Sequence, residues 1–115
     1  MAEVTIYHNP HCAKSRQTLR LLRERGIQPR VVRYLETPPD EPTVERLLAM
    51  LGMEPQDLMR RKEDEYLQLG LAGETDRRRL VRAMVEHPIL IERPIVVKGD
   101  QARLGRPPEQ VLEIL

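Results

Sequence analysis

The chain has 115 residues, of which 40% are apolar and 32% are charged, and a formal net charge of +1. This length fits a single domain with one hydrophobic core, which Leu, Ile, Val and Met must fill because the chain contains no Trp or Phe. Charges of both signs are interspersed, so we expect no nucleic-acid partner, and the densest basic run, DRRRL at 76–80, fits a solvated helix face. No window approaches 18 consecutive apolar residues, which excludes a membrane-spanning helix.

The chain contains one cysteine, Cys12, and therefore cannot form an intrachain disulfide. Its first residues, MAEVTIYHNP, have neither the basic region nor the long apolar segment of a secretory signal. Together these two features favour a reducing, cytoplasmic location.

The first third of the chain predicts two strands joined by a helix. Residues 4–7 are β-branched and aromatic, and a helical pattern follows over 14–25, with Gly26 as a natural C′ residue. A second strand is predicted over 30–35. This order is typical of two parallel strands connected by a right-handed crossover.

The middle of the chain predicts a helical region. Apolar residues over 44–51 recur at helical spacing, and two further helical segments are predicted over 54–61 and 63–73. We expect Thr75 to cap a helix over 76–86. The inner face of that helix is predicted to carry Leu80, Val81, Met84 and Val85.

The last third predicts two strands and a closing helix. Residues 89–97 form the most apolar stretch and predict a buried strand that is interrupted at Arg93-Pro94. The turn signal Gly99-Asp100 predicts antiparallel pairing of 95–97 with 102–104. A final helix is expected to open at Pro107-Pro108, and its inward residues are predicted to be Val111, Leu112 and Leu115.

The order of these elements, β-α-β, a helical block and then β-β-α, indicates an α/β thioredoxin-like fold with an inserted helical region. We expect residues 1–115 to form a single domain, with the helical insertion at approximately 40–88. An X-Pro bond at the start of the third strand is often cis in that fold, so the expectation of a cis bond falls on Arg93-Pro94.

The loop that feeds the first helix carries the single thiol. Free N–H groups at a helix start attract negative charge and lower the pKa of a thiol, so we predict that Cys12 is a thiolate. The alternative is that Cys12 is a small buried apolar residue. Potential positive charge crowds the same loop, from His8, His11, Lys14 and Arg16.

Two side chains near Cys12 are candidates to support it. Ser15, three residues later, can reach back to a thiolate or to a bound oxyanion, or it can simply cap the helix. His8 can tune the thiol through charge or hydrogen bonding, or it can merely pack at the end of the strand.

Three arginines stand in unusual sequence contexts. Arg60 ends a short predicted helical segment, Arg93 interrupts an apolar strand, and Arg106 precedes a Pro-Pro helix start. In the thioredoxin plan the loop before the third strand lies beside the first-helix cysteine, so Arg93 is expected to approach Cys12. Arginines that converge on a helix N-terminus form a pocket for a tetrahedral oxyanion. We expect no metal, because one Cys and three scattered His lack the spacing of a zinc site.

Four stretches together resemble the glutaredoxin-coupled arsenate reductase family: TIYHNPHCAKSRQTL, LMRRKEDEYLQLGLA, HPILIERPIVV and ARLGRPPE. The resemblance runs from Val4 to Leu115 and implies a thioredoxin-like fold with an inserted helical region. It places the family's nucleophilic cysteine on Cys12, its pKa-tuning histidine on His8 and its thiolate-supporting serine on Ser15. The family's three oxyanion-binding arginines fall on Arg60, Arg93 and Arg106.

The resemblance also implies the reaction and its partners: reduction of arsenate to arsenite, with glutathione as reductant, glutaredoxin as protein partner and no bound cofactor. One part of this follows from composition alone. A cysteine that takes part in two-electron chemistry needs a second thiol to reset it, and this chain has no second cysteine. The resolving thiol must therefore come from outside.

Three positions depart from the family pattern. Ala13-Lys14 stands where familiar active members have Gly-Thr, and Gly105 stands where the family often has a cysteine. Two alternative functions stay open: a glutathione-dependent thiol reductase of the same fold without arsenate activity, and an Spx-like regulator that binds RNA polymerase. Many such regulators use a CxxC redox switch, which cannot form here because Ser15 occupies its second position.

Overall fold

The computed structural model describes residues 3–115, and the chain divides into two units. One unit contains the chain up to Thr37 together with Arg93–Leu115, and the other is Pro38–Glu92. Residues 1–2, which begin the stretch where we expect no secretory signal, lie outside the described residues. Within 3–115, no helix is both long and apolar enough to cross a membrane. The single-domain organisation stays a prediction.

The first unit contains, in its described residues, a four-stranded sheet formed by β1 (Val4–His8), β2 (Arg30–Arg33), β3 (Ile95–Lys98) and β4 (Gln101–Leu104). The strand order is β2-β1-β3-β4, with β1 parallel to β2 and antiparallel to β3. Strands β3 and β4 form an antiparallel hairpin. The helix α1 (Ala13–Glu24) connects β1 to β2. The predicted parallel pair, the hairpin and the α/β thioredoxin-like fold are confirmed.

The core of this unit follows from the way side chains repeat in direction along a strand and along a helix. Alternate residues of β1 face the same side, and residues three apart on α1 share a face. The core consists of Val4, Ile6, Leu19, Leu22, Val96, Val111 and Ile114. His8 continues the buried row of β1 at the end of the strand. The packing that buries β1 therefore also buries the imidazole next to the loop that carries the thiol.

The closing segment, Pro108–Ile114, is a 3₁₀ helix rather than the predicted α-helix. Three residues per turn align positions three apart, and the buried residues are Pro108, Val111 and Ile114. The prediction of Val111 as inward is confirmed. Leu112 was predicted inward from α-helical spacing, and it is only half-buried, as is Leu115.

Two X-Pro bonds in the described residues are cis, Arg93-Pro94 as expected and Arg106-Pro107, which the sequence analysis did not predict. Strand β2 is shorter than predicted, because the chain turns after Arg33. The N–H groups of Glu36 and Thr37 both donate to the Arg33 carbonyl.

The second unit is helical, with α2 (Glu41–Leu51), α3 (Pro55–Leu58), α4 (Asp64–Gln68) and α5 (Arg77–Glu86). Short 3₁₀ turns at Leu71–Gly73 and Pro88–Leu90 complete it. Helix α2 begins after Asp40, whose side chain accepts from the Thr43 N–H at 2.9 Å, and it ends at Gly52 with φ of 68°, which glycine adopts without strain. The predicted helical character of the middle segment is confirmed, although α3 ends at Leu58, before Arg60.

Three expectations for this unit were wrong. Asp76, not Thr75, caps α5, because its carboxylate accepts from the Arg78 N–H. Ala83 takes the buried position on α5 expected for Val85, which is half-buried. Residues 89–92 do not form a strand: Ile91 makes an isolated antiparallel bridge with Met59 after the 3₁₀ turn.

Gly105 occupies a tightly packed position in the first unit. A Cβ built there would overlap the hydroxyl of Thr18 and lie 2.7 Å from Cγ of Pro94. The Gly105 N–H donates to the Pro94 carbonyl at 2.9 Å, so the backbone cannot retreat without losing that bond. The glycine thus lets α1 and the cis-proline loop approach each other closely.

We expect Gly105→Ala to lower the free energy of unfolding by about 1–3 kcal/mol, the usual cost of overpacking a filled site. The matched control is Gly73→Ala, because a Cβ there meets nothing within 4 Å and the backbone φ is not positive. Urea unfolding of both variants measures the difference. Equal stability of the two variants would contradict the proposed close packing.

Candidate active site

The loop that carries Cys12 is held by one asparagine. Asn9, which is 3% exposed, follows β1 directly. Its side-chain oxygen accepts from the His11 N–H at 2.9 Å, and its carbonyl accepts from the Cys12 N–H at 3.0 Å. These two bonds fold the chain back so that Cys12 becomes the N-cap residue of α1. The sequence indicates a break of the strand at Asn9-Pro10, as Asn before Pro is a recognised turn signal, but the hydrogen bonds by which Asn9 holds the loop were not predicted.

His8 and Ser15 form a buried hydrogen-bonded pair. The Nδ1 of His8 lies 2.7 Å from the Ser15 Oγ, which also accepts from the Asn9 N–H at 3.0 Å. His8 is 5% exposed and Ser15 is fully buried. Ser15 therefore joins the end of β1 to the first turn of α1, whichever tautomer His8 adopts.

The imidazole of His8 is uncharged at neutral pH. Burial lowers its pKa from 6.5, and the positive charges of Arg33, Arg23 and Arg16 lower it further. Of the two routes left open for His8, charge and hydrogen bonding, the structure favours hydrogen bonding through Ser15.

The pKa of Cys12 is lowered from its ordinary value of 9.0 despite an opposing effect. Partial burial of the sulfur raises the pKa, and it is outweighed by the Ser15 N–H, the Arg93 side chain and the Lys14 N–H. Within the described residues the thiol makes no ordinary side-chain capping bond, so the N–H groups of the first turn act on it as dipoles. Cys12 is half-buried and reachable from solvent, unlike an inert core cysteine.

The register of the sheet explains why Arg93 reaches Cys12. Tyr7 pairs with Ile95 in the antiparallel ladder between β1 and β3. Continuing that register places Pro94 and Arg93 opposite the end of β1, where the loop to Cys12 begins. Arg93 is only 8% exposed, and its side chain lies close enough to the sulfur to lower the pKa of the thiol. The expected approach of Arg93 to Cys12 is confirmed.

Arg106 is tied to the same segment. Its Nη1 donates to the Arg93 carbonyl at 3.0 Å, and the guanidinium is half-buried. Both arginines directly precede a cis-proline. The structure thus brings together five of the six predicted site residues in the first unit: His8, Cys12, Ser15, Arg93 and Arg106.

The sixth predicted residue, Arg60, belongs to the second unit and has carboxylate partners there. Its Nε donates to Glu63 at 3.1 Å and its Nη1 donates to Glu92 at 2.9 Å. Its N–H also donates to the Leu90 carbonyl. Burial of the guanidinium lowers the pKa of Arg60, and the two carboxylates more than offset this effect. The sequence analysis did not anticipate either glutamate, because their approach depends on how this unit folds.

The first-unit cluster places a thiol with a lowered pKa next to positive charge. Within residues 3–115, no group of three or more His, Cys, Asp or Glu side chains is arranged to hold a metal ion. A sulfur at a helix N-terminus beside a buried guanidinium attracts an oxyanion and presents a thiolate to it.

Comparison with known proteins agrees with this arrangement. The model of the ArsC family matches residues 7–114. The chain belongs to the ArsC family. Among its relatives, the arsenate reductase of Escherichia coli K12 is 48% identical over all of this chain and 82% of the relative. The uncharacterized protein YfgD of the same organism is 56% identical over 98% of this chain and 97% of the relative.

Solved structures agree with the ArsC assignment. The structure of an arsenate reductase from Vibrio cholerae has a TM-score of 0.96 and 54% identity, covering 99% of this chain and 98% of the other. A putative arsenate reductase from Yersinia pestis has a TM-score of 0.93 and 54% identity, covering 97% of this chain and all of the other. The family resemblance drawn from the sequence is therefore confirmed.

We expect the rate of Cys12 alkylation by iodoacetamide to reach half its maximum below pH 9.0, because the lowered pKa leaves more thiolate at a given pH. Arg93→Gln removes a charge that stabilises the thiolate, so its profile shifts to higher pH. Arg30→Gln, at an exposed position of β2, is the control and keeps the wild-type profile. A profile that Arg93→Gln leaves unmoved would contradict the assigned role of Arg93.

Proposed function

We propose that this ArsC family member reduces arsenate to arsenite, with Cys12 as the nucleophile and with glutathione and glutaredoxin as the external thiols. One observation carries the proposal: a half-buried thiol with a lowered pKa lies at a helix N-terminus beside the buried guanidinium of Arg93. Relatives named as arsenate reductases support the substrate. The single cysteine supports an external reductant.

The first step is attack of the Cys12 thiolate on As(V). A sulfur–arsenic bond forms, and the bond from arsenic to one arsenate hydroxyl breaks, as that hydroxyl takes a proton from solvent and leaves as water. Both reactants are anionic, so their approach requires positive charge at the site. Arg93 and Arg106 offset that charge, while Ser15 holds the first turn of α1 in place through its bond to His8.

The second step is the reduction. The thiolate of glutathione attacks the Cys12 sulfur, and a sulfur–sulfur bond forms as the sulfur–arsenic bond breaks. The bonding pair stays on arsenic, which becomes As(III), while the two thiols are oxidised to a mixed disulfide. A glutaredoxin thiolate then attacks the glutathione sulfur of that disulfide, and Cys12 leaves as a thiolate.

A third arginine, Arg60, is proposed to bind the oxyanion as well. In the structure its charge is engaged by Glu63 and Glu92. Arsenate must therefore compete with these carboxylates for Arg60, which weakens the contribution of Arg60 to binding. The strength of arsenate binding is then set partly by two glutamates.

A glutathione-dependent thiol reductase without arsenate activity is the second candidate. The observation that favours it is Ala13-Lys14 in the first turn of α1, which replaces the Gly-Thr of familiar arsenate reductases next to Cys12. Both side chains are exposed there. YfgD, at 56% identity, has a name that assigns no activity. An Spx-like regulator is less favoured, because its CxxC switch requires a cysteine where Ser15 is buried and bonded to His8.

We expect arsenate-dependent NADPH oxidation in the presence of glutathione, glutaredoxin and glutathione reductase. Cys12→Ser is expected to be inactive, because the serine hydroxyl does not ionise to an alkoxide near neutral pH. Arg93→Ala is expected to lower kcat/KM for arsenate about 100-fold, the usual loss when one charge-stabilising donor is removed. Arg78→Gln, on the exposed surface of α5, is the control. Full activity of Cys12→Ser would refute the assignment of Cys12 as the nucleophile. No arsenate-dependent activity of the wild type would leave the thiol reductase as the function.

We expect Glu92→Gln to lower the KM for arsenate about threefold to tenfold, with kcat little changed. Glutamine keeps an acceptor for the Arg60 Nη1 but removes the competing charge, which is worth on the order of 1 kcal/mol in a half-exposed pair. Glu113→Gln, which removes the partner of Arg103, is the control and leaves both constants unchanged. A rise in the KM for arsenate would show that Glu92 positions Arg60 rather than competes for it.

A further inference from the structure

Three of the four arginines of α5 are paired with carboxylates within their own unit. Arg77 forms ion pairs with Glu45 and Glu54. Arg79 is paired with Glu74, and Arg82 is paired with Glu41. The densest basic run of the sequence is thus largely balanced by acidic neighbours. Its charge does not mark a site for an anionic partner.

The arginines of α1 are arranged differently. In the part of the chain that the structure describes, Arg20 and Arg23 form no ion pair, and both are exposed. Arg16 donates to the Pro10 carbonyl at 3.0 Å, a neutral partner. Positions 16, 20 and 23 are four and three residues apart, so the three guanidinium groups share one face of α1. Positive charge that is not held in ion pairs therefore lies along this helix.

That face of α1 lines a groove of about 470 Å³ in the first unit. Besides the three arginines, the groove is lined by His8, Leu19 and Glu24. Leu19 and His8 are buried and form its less polar part. The volume is within the range of small-molecule sites. The groove thus combines three cations, one carboxylate and an apolar wall.

We propose that this groove, lined by Arg16, Arg20, Arg23 and Glu24, binds glutathione. The inference rests on the proposed function for the use of a thiol reductant, and it adds where that thiol docks. Glutathione carries two carboxylates and one ammonium group. The carboxylate and ammonium of its γ-glutamyl end match Arg23 and Glu24, which are neighbours at the end of α1, and its glycyl carboxylate matches Arg16.

The spacing of the charges fits the ligand. Arg16 and Arg23 are seven residues apart on α1, a rise of roughly 10 Å along the helix axis. A tripeptide in extended conformation spans roughly 10 Å between its ends. One molecule of glutathione can therefore reach both arginines at once.

The orientation places the thiol of the ligand toward Cys12. Arg16 follows Cys12 by one helical turn, and its guanidinium is bonded to the loop that carries Cys12 through Pro10. The cysteinyl residue is the middle residue of glutathione, and the γ-linked glutamyl end is longer than the glycyl end, so the thiol lies nearer to the Arg16 end of the groove. The presence of Glu24 makes an acidic protein surface a poor occupant of the groove, because the Glu24 carboxylate would repel a partner that carries only negative charge.

Direct binding of S-methylglutathione, which cannot react with Cys12, tests the groove by calorimetry on the full chain. We expect Arg20→Gln and Arg23→Gln each to weaken binding about fivefold, the size of one exposed charge-assisted contact, and Glu24→Gln about threefold. Arg23→Lys keeps the charge and restores part of the affinity. The control is Arg25→Gln at the C-cap of α1, because helical spacing places Arg25 opposite to Arg16 and it does not line the groove.

A modified ligand tests the assigned orientation. Blocking the glycyl carboxylate of S-methylglutathione as an ethyl ester is expected to weaken binding about fivefold. With that ester, Arg16→Gln is expected to cause no further loss, because the contact it removes is already absent. A full additional loss would overturn the pairing of Arg16 with the glycyl end.

The outcomes separate this inference from the proposed function. Equal affinity of wild type, Arg20→Gln and Arg23→Gln for S-methylglutathione would overturn the groove assignment, even if arsenate is reduced. A raised KM for glutaredoxin with unchanged S-methylglutathione affinity would also overturn it, because the occupant would then be an acidic protein surface. Arginine-dependent binding of S-methylglutathione in a protein without arsenate turnover would support the groove, and only the proposed function would fall.

Discussion

The contact between the Arg93 side chain and the Cys12 sulfur depends on the sheet of the first unit. The two residues are far apart in sequence, and the antiparallel register of β1 with β3 brings their loops to the same end of the sheet. Burial of the sulfur raises its pKa, so an isolated thiol in this place would stay protonated. The guanidinium and the first-turn N–H groups outweigh that effect, so the net shift of the thiol pKa is downward. The reactivity proposed for Cys12 is therefore a property of the fold rather than of the loop.

The supports around this contact are short and buried. Asn9 folds the loop, and Ser15 bonds both to the loop backbone and to His8. Gly105 lets the cis-proline segment that carries Arg93 approach Thr18 on α1. Each of these residues positions the thiol or the guanidinium through backbone geometry, and their effect on chemistry is indirect.

The arginines of this protein fall into classes that net charge does not reveal. Three of the four on α5 are paired with glutamates, and Arg60 is held by two carboxylates. Arg93 acts on the thiol, and Arg20 and Arg23 lie along an exposed groove of the same unit. Although the formal net charge is only +1, the described part of the first unit thus places three arginines, Arg16, Arg20 and Arg23, along one groove where an anionic thiol is proposed to bind.

The sequence by itself determined the order of elements, the parallel β1–β2 pair, the hairpin and the position of the thiol at the start of α1, because these depend on local periodicity, turn residues and capping. It also carried the family resemblance on which the site assignment was built. It did not determine the 3₁₀ form of Pro108–Ile114, the irregular path of 89–92 or the cap at Asp76, since neighbouring packing chooses among locally similar conformations. Only the tertiary structure decided which carboxylates pair with Arg60, how the pKa of His8 shifts and which arginines form ion pairs. The reason is that electrostatic interactions depend on distances between residues, and separation along the sequence does not give those distances.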